Sequence, residues 1–291
     1  MRKLILIQII SLIAILTASC ISIQRPIAST DLPHDSFLFI IKRVTFSICK
    51  SDIEANVLPK DDACSPVGQA AISGSGFVVA TNGQDSWGIT AGHVCATEKV
   101  KLQSPDGKVI EPNVEGYIRV MLLGGVAYNA VVEDIYPSLD MCVLKIAGMV
   151  PKQMVEVSER PPIRGERHYV MSAPLGTFGP DLLPTFEGFY NGRTMSYPPP
   201  MGGEHLPYGV YTIPTRGGSS GSPILNSQGR LVGVTSGTLV GFENIAFSPP
   251  YEGVHAVVEA VKQKASNSLH TPVETDTSVT SQPDTIDSGA K

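Results

Sequence analysis

Short apolar runs broken by turn residues recur along most of this chain, and very few of them have helical spacing. Residues 36–48 are rich in Phe, Ile and Val and predict a strand, and residues 51–66 are charged and turn-like. Residues 74–80, Gly-Ser-Gly-Phe-Val-Val-Ala, predict a short apolar strand followed by the hairpin signal Asn82-Gly83. The strand at residues 87–91 then runs directly into Gly92-His93-Val94-Cys95. Further strands are expected at 100–103, 108–111, 117–123 and 127–135, with Asp106-Gly107 marking a turn, and residues 138–146 form a polar approach into an apolar strand. Residues 147–164, with Pro151, Pro161 and Pro162, read as a linker. Strands resume at 168–172, 185–190, 208–213, 223–226 and 231–235, and residues 191–207 form a Pro/Gly-rich loop.

One segment has the helical period. Residues 252–264 follow Pro249-Pro250 and place Val254, Val257, Val258 and Val261 on one face. That stripe should pack on the strands. Residues 266–291 are rich in Ser, Thr and Asp with few large apolar residues, and are expected to be disordered. About a dozen short strands in two halves, with frequent turns and one terminal helix, argue for barrels or a sandwich rather than a βαβ fold.

Composition narrows the picture. The chain has 291 residues and a net charge of −5, with no Lys/Arg run, so nucleic acid is not an expected partner. Arg2 and Lys3, an apolar run over residues 4–16, and Thr17-Ala18-Ser19-Cys20 have the layout of a secretory signal. Small residues before Cys20 resemble a lipoprotein signal with Cys20 lipidated, although Thr17 stands where an apolar residue is usual. Cleavage near Ser19 is one rival. An uncleaved anchor is another, because the stretch from Leu4 to Gln24 carries no charge and can span a bilayer. Each reading places residues 25–291 in the periplasm or at the cell surface, and two of them tether the protein to the membrane.

Five cysteines occur, and setting Cys20 aside leaves Cys49, Cys64, Cys95 and Cys142, an even number that suits an oxidising compartment. Cys49 with Cys64 would close a polar loop and is the preferred pair. No C-x-x-C or H-E-x-x-H spacing occurs, so zinc is not expected.

Candidate chemistry centres on Gly217-Gly218-Ser219-Ser220-Gly221-Ser222-Pro223. A serine hydroxyl is a weak nucleophile at neutral pH and needs a base in hydrogen-bond reach, itself oriented by a carboxylate. Of six histidines, His34 and His270 lie near the ends, His255 is on the helix, His205 is in a loop and His168 begins a strand. His93 stands at a strand end among small neighbours in Thr90-Ala91-Gly92-His93. Asp140 enters a core-like strand and can be held rigidly, whereas the adjacent Glu133 and Asp134 read as a solvated edge. The same loop also matches G-x-S-x-G with Ser219 as nucleophile, but that elbow needs a helix next, and Pro223 with the following strand-turn-strand run denies it.

Thr90-Ala91-Gly92-His93, the run from Asp140 to Ile146 and Gly218-Ser219-Ser220-Gly221-Ser222-Pro223 together resemble the three catalytic motifs of the chymotrypsin-fold (trypsin-like) serine peptidases, in that family's order. Gly74-Ser75-Gly76-Phe77, Pro174-Leu175-Gly176 and residues 244–249 resemble the bacterial Htr/Deg-type branch, though here no room is left for a PDZ domain after the peptidase core. The resemblance covers about residues 40–262. It implies two six-stranded antiparallel β-barrels with a C-terminal helix. Residues 1–20 would be the signal or anchor and 21–35 a spacer. Residues 36–150 would form the barrel with His93 and Asp140, residues 151–265 the barrel with Ser220 and the helix, and 266–291 the tail.

It further implies Ser220 as nucleophile, His93 as general base and then acid, Asp140 as orienter, and the N–H groups of Gly218 and Ser220 as an oxyanion hole. The substrate is a protein or peptide, and no cofactor is implied. Ser219 stands where family members activated by cleavage carry Asp, so that route is not expected. Pro214, at the pocket base, gives no support to Lys/Arg specificity. Gly237 in the pocket wall Thr235-Ser236-Gly237 leaves room for a side chain, which favours small or apolar residues at the cleavage site. Adjacent His93 and Asp140 would also bring Cys95 near Cys142. The alternative reading is an inactive peptidase fold used as a binding module at the cell envelope.

Overall fold

A computed structural model describes residues 32–53, 63–97, 101–103, 107 and 109–268. The targeting segment with Cys20, most of the spacer and most of the tail lie outside the described residues. The strands are β1 Phe37–Cys49, β2 Cys64–Thr81, β3 Ser86–Ala91, β4 Leu102–Gln103, β5 Val109–Ile110, β6 Asn113–Met121, β7 Ala127–Tyr136 and β8 Met141–Ile146 in the first half. The second half holds β9 Arg167–Met171, β10 Thr185–Arg193, β11 Gly209–Tyr211, β12 Pro223–Leu225, β13 Leu231–Val234, β14 Gly237–Leu239 and β15 Phe242–Ser248. Helix Tyr251–Ser268 follows.

Strands β1-β2-β3-β8-β7-β6 close into a barrel, and β4 and β5 form a separate ladder. Leu38, Ile40, Val78, Val120, Leu144 and Ile146 fill the barrel. The second half is a seven-stranded sheet in the order β13-β12-β9-β10-β11-β15-β14. Its edge strands β13 and β14 are joined only by Thr235 and Ser236. So short a link forces the sheet to curl until its two edges nearly meet, and Val234 N donates to Ser248 Oγ of β15 at 3.0 Å across that gap. The two-barrel architecture expected from the sequence is present, with the second barrel left open along this seam.

A shared apolar core joins the halves. Phe37, Phe77, Trp87 and Met141 of the first half meet Met171, Leu225, Leu231 and Val234 of the second. The helix seals this core with Val254, Val257, Val258 and Val261, as its spacing predicts, and with Ala265 one turn further on. The helix runs past the expected end for two reasons. Lys264 Nζ reaches Glu133 at 2.9 Å and Asp134 at 3.0 Å, and Asn82 Nδ2 donates to Ser268 Oγ at 3.0 Å. Glu133 and Asp134 therefore anchor the helix to β7 rather than merely solvating an edge; Glu133 also accepts from Trp87 Nε1. The segment 147–164 laces the halves together, with Val155 N bonded to Val78 O at 2.8 Å and Ser158 N to Leu231 O at 2.8 Å.

Two disulfides are formed, Cys49–Cys64 and Cys95–Cys142. Disulfides of this kind persist in oxidising compartments. The first closes the tip of the long β1–β2 hairpin.

His168 is fully buried on β9 and packs edge-on against Tyr211 at 5.4 Å. Its Nδ1–H donates to the Glu166 carbonyl at 3.0 Å, while Nε2 has no partner among the described residues. Burial holds its proton affinity below the ordinary value of 6.5. The unfolded chain thus takes up the proton first. This contribution to stability is intact above about pH 6.5 and is lost as pH falls through the lower folded-state value. His168→Phe is expected to flatten the decline of the urea midpoint between about pH 7 and pH 5; an unchanged slope would assign that decline to other groups.

Candidate active site

Strand β3 is buried along its whole length and delivers His93 on the short helix Gly92–Cys95. Gly92 permits a close approach there: its N–H donates to Asp140 O at 2.8 Å, and a Cβ would lie 3.1 Å from the Asp140–Met141 peptide. Asp140 ends a 3-10 turn, Pro137–Leu139, in the left-handed region with φ 47°, a conformation that Asp tolerates better than most residues. The Cys95–Cys142 disulfide ties the same two elements together two residues further along.

The Asp140 carboxylate is fully buried and well partnered. It accepts from His93 N at 2.9 Å, lies 2.9 and 3.1 Å from His93 Nδ1, and accepts from Ser236 Oγ at 2.5 Å. A buried carboxylate needs this many donors. With Nδ1–H donating to Asp140, the other ring nitrogen is left as an acceptor. That nitrogen, Nε2, stands 2.8 Å from Ser220 Oγ. An imidazole so oriented can take the proton of the hydroxyl.

The serine loop is pinned to the first barrel through Ser75 of β2. Ser75 N donates to Ser220 O at 2.8 Å, and Ser75 Oγ donates to Gly218 O at 2.8 Å. Gly221 makes this docking possible. Its φ is +87°, and a Cβ would stand 2.1 Å from Ser75 O and 2.3 Å from Thr90 Oγ1. Ser219 is turned inward, 1% exposed, and its Oγ accepts from Arg216 N at 3.3 Å. The structure thus brings Ser220, and not Ser219, to His93.

Two backbone donors beside Ser220 are unspent. Among the described residues neither Gly218 N nor Ser220 N donates to a protein acceptor. The orientation of both follows from the planar trans peptide, whose N–H points opposite its C=O. The Gly217 carbonyl is held by Leu175 N at 2.6 Å, and the Ser219 carbonyl by Ser222 N at 3.1 Å. Each bond turns the following N–H away from the loop interior. Gly218 has φ +93°, and a Cβ there would meet Ala173 O at 2.5 Å, so only glycine fits.

A model of the trypsin-like peptidase domain matches residues 74–234. The chain belongs to that family. Among solved structures, the Rv3671c protease of M. tuberculosis in its active form is 18% identical with a TM-score of 0.53, covering 79% of this chain and 82% of that one. The inactive form of the same protease is 15% identical with a TM-score of 0.51, covering 79% and 90%. These likenesses are of fold. No curated protein matches.

In this trypsin-like peptidase the other sequence-selected residues take distinct places. Pro214 is exposed, whereas Thr235 and Ser236 are buried. Thr235 O accepts from Gly221 N at 2.7 Å, so the proposed wall segment also braces the serine loop. Gly237 has its side-chain space taken: a Cβ would stand 2.5 Å from the Tyr197 hydroxyl. Tyr197 comes from the Pro/Gly-rich loop and stacks on Phe247 at 4.5 Å and against Tyr208 at 4.7 Å. Burial, and then the Asp140 charge, make both tyrosine hydroxyls weaker acids than usual, so both stay neutral. Glu204 N of the same loop donates to Ser138 Oγ at 3.3 Å, beside Asp140. Among the described residues no cluster could hold a metal ion, and no helix is long and apolar enough to cross a membrane.

Two contacts at the site carry no signal of their own in the sequence. Ser236, expected in a pocket wall, hydrogen-bonds Asp140. Leu175, in the run Pro174-Leu175-Gly176, holds φ +53° and is 78% exposed. A positive φ is strained for leucine, and here it aims the N–H that holds Gly217. Leu175→Pro removes that donor and forbids the conformation. We expect kcat to fall about 10²-fold with KM little changed, and Leu175→Gly, which keeps the N–H, to retain activity. Equal kcat in the proline variant and the parent would deny Leu175 this positioning role.

Proposed function

We propose that this trypsin-like peptidase is a serine endopeptidase working through an acyl-enzyme, with Ser220 as nucleophile, His93 as base and acid, and Asp140 as orienter. The observation that carries the reading is the continuous relay from the buried carboxylate through both ring nitrogens to Ser220 Oγ at 2.8 Å. Ser220 Oγ attacks the scissile carbonyl carbon while its proton passes to His93 Nε2. The carbonyl oxygen becomes an oxyanion and accepts hydrogen bonds from Gly218 N–H and Ser220 N–H. Collapse breaks the C–N bond, and His93 returns the proton to the departing amine. Water then hydrolyses the acyl ester: His93 takes a proton from the water and returns it to Ser220 Oγ as the ester C–O bond breaks.

The absence of an acid at Pro214 argues against cleavage after Lys or Arg. Both disulfides support a site of action outside the cytoplasm. Tethering through a lipidated Cys20, or through the uncharged stretch from Leu4 to Gln24, belongs to the same proposal and rests on the sequence alone. A fluorophosphonate probe tests the mechanism. It should label the purified protein on Ser220, located by mass spectrometry of the modified peptide, and should not label Ser220→Ala. An unlabelled parent would favour the inactive binding module instead.

A further inference from the structure

A lysine stands inside the first barrel. The side chains of β1 alternate across the barrel wall, and Leu38, Ile40, Lys42 and Val44 are the buried set. Lys42 is 2% exposed. A buried ammonium is costly unless its N–H donors are met. It has three donors, and three acceptors are in reach: Cys95 O at 2.6 Å, Ala96 O at 2.5 Å and Thr97 Oγ1 at 3.1 Å. No step of acyl transfer uses this group.

All three acceptors lie at the end of the turn that carries His93. That helix, Gly92–Cys95, is four residues long. Ala96 N donates to Gly92 O at 2.9 Å and closes it. The carbonyls at its C-terminal end have no partner within the helix. Lys42 supplies one from β1, as a lysine near a helix C-terminus can.

The ties on this turn come from two walls of the barrel. The bond from Gly92 N to Asp140 O and the Cys95–Cys142 disulfide attach it to Asp140 and β8. These set the ring against its carboxylate. Lys42 attaches it to β1 instead. β1 is laddered to β2, with Lys42 opposite Ile72 and Phe39 opposite Ser75. Ser75 is the residue that binds Ser220 O and Gly218 O. The Lys42 bonds therefore fix the histidine turn to the wall that carries the serine loop.

We propose that Lys42 is a positioning residue, whose buried ammonium sets the distance from His93 Nε2 to Ser220 Oγ by holding the Cys95 and Ala96 carbonyls. This rests on the serine-peptidase reading above. The ammonium bonds the turn rather than the His93 ring or Ser220. Its effect therefore falls on proton transfer and not on substrate binding.

Lys42→Met tests this, because it keeps the length of the stem and removes the donors. Folds commonly tolerate an apolar side chain in place of a buried charge. On a peptide substrate kcat should fall about 10- to 100-fold, with KM within about twofold of the parent. Nitrogen NMR of protein labelled at its histidines gives a reading that needs no turnover. The Nε2 resonance of His93, which reports the bond to Ser220, should move in Lys42→Met, and that of His168 should not. Lys42→Gln is the second variant: its amide keeps N–H donors on a stem one atom shorter, and kcat should fall about threefold or more.

Parent-like kcat in Lys42→Met overturns the proposal. So does a lowered kcat with the His93 resonance unmoved, or a loss carried by KM alone. If Lys42→Met does not fold, Lys42→Gln decides by the same two readings; if neither folds, Lys42 is a folding residue and the positioning role falls. A parent left unlabelled by the fluorophosphonate probe marks failure of the peptidase reading. The His93 resonance is read all the same, so that failure is distinct from failure of the Lys42 tie.

Discussion

His93→Ala is expected to abolish fluorophosphonate labelling and to lower kcat on the order of 10⁶-fold. The size follows from the geometry. Nε2 of His93 is the group that faces Ser220 Oγ, at 2.8 Å. Without it the hydroxyl proton has no acceptor, and the hydroxyl stays a weak nucleophile at neutral pH. The imidazole also returns the proton to the leaving amine, so one substitution disables both halves of the reaction. The turnover that survives would come from binding and from the Gly218 and Ser220 N–H groups. His168→Phe is the matched control, because His168 is buried on β9 against Tyr211 and its ring nitrogen bonds the Glu166 carbonyl. It should retain labelling. Equal loss in both variants would remove the base assignment from His93.

Asp140→Asn should lower kcat by about 10⁴-fold while the fold persists. The carboxylate accepts from His93 N, from His93 Nδ1 and from Ser236 Oγ. An asparagine has only one oxygen to share among these donors, and its amide presents a donor to whatever faces its nitrogen. If that nitrogen faces the ring, Nδ1 must become the acceptor and Nε2 carries the proton. The ring then cannot take the proton of Ser220. Two measurements separate this from simple damage: KM should change little, and nitrogen NMR of the imidazole should report the Nε2–H tautomer. Turnover within tenfold of the parent would show that Asp140 does not set the tautomer.

Several outcomes turned on contacts that strand order in the sequence does not reveal. Ser236 read as part of a pocket wall because it precedes Gly237; it reaches Asp140 only because the curled second sheet brings the β13–β14 link against the end of the first barrel. Glu133 and Asp134 read as solvated neighbours. They become anchors once the terminal helix lies across β7 and Lys264 meets both. Gly237 read as open space, yet Tyr197 approaches from a loop whose composition predicts only irregularity. Leu175 carried no signal of its own, since a strained backbone angle leaves no mark on residue type.

The sequence by itself determined what depends on near neighbours. The short strand period and the helical spacing of Val254, Val257, Val258 and Val261 follow from side-chain alternation, and the positive φ of Gly218 and Gly221 from the freedom of glycine. His93, Asp140 and Ser220 were legible as candidates because three motifs stand in one order along the chain and carry a family resemblance together. The tertiary structure alone decided which hydroxyl supports Asp140 and which N–H holds the Gly217 peptide. Those depend on strand register and sheet curvature, which are set by the summed packing of residues far apart in the chain and by no single stretch of it.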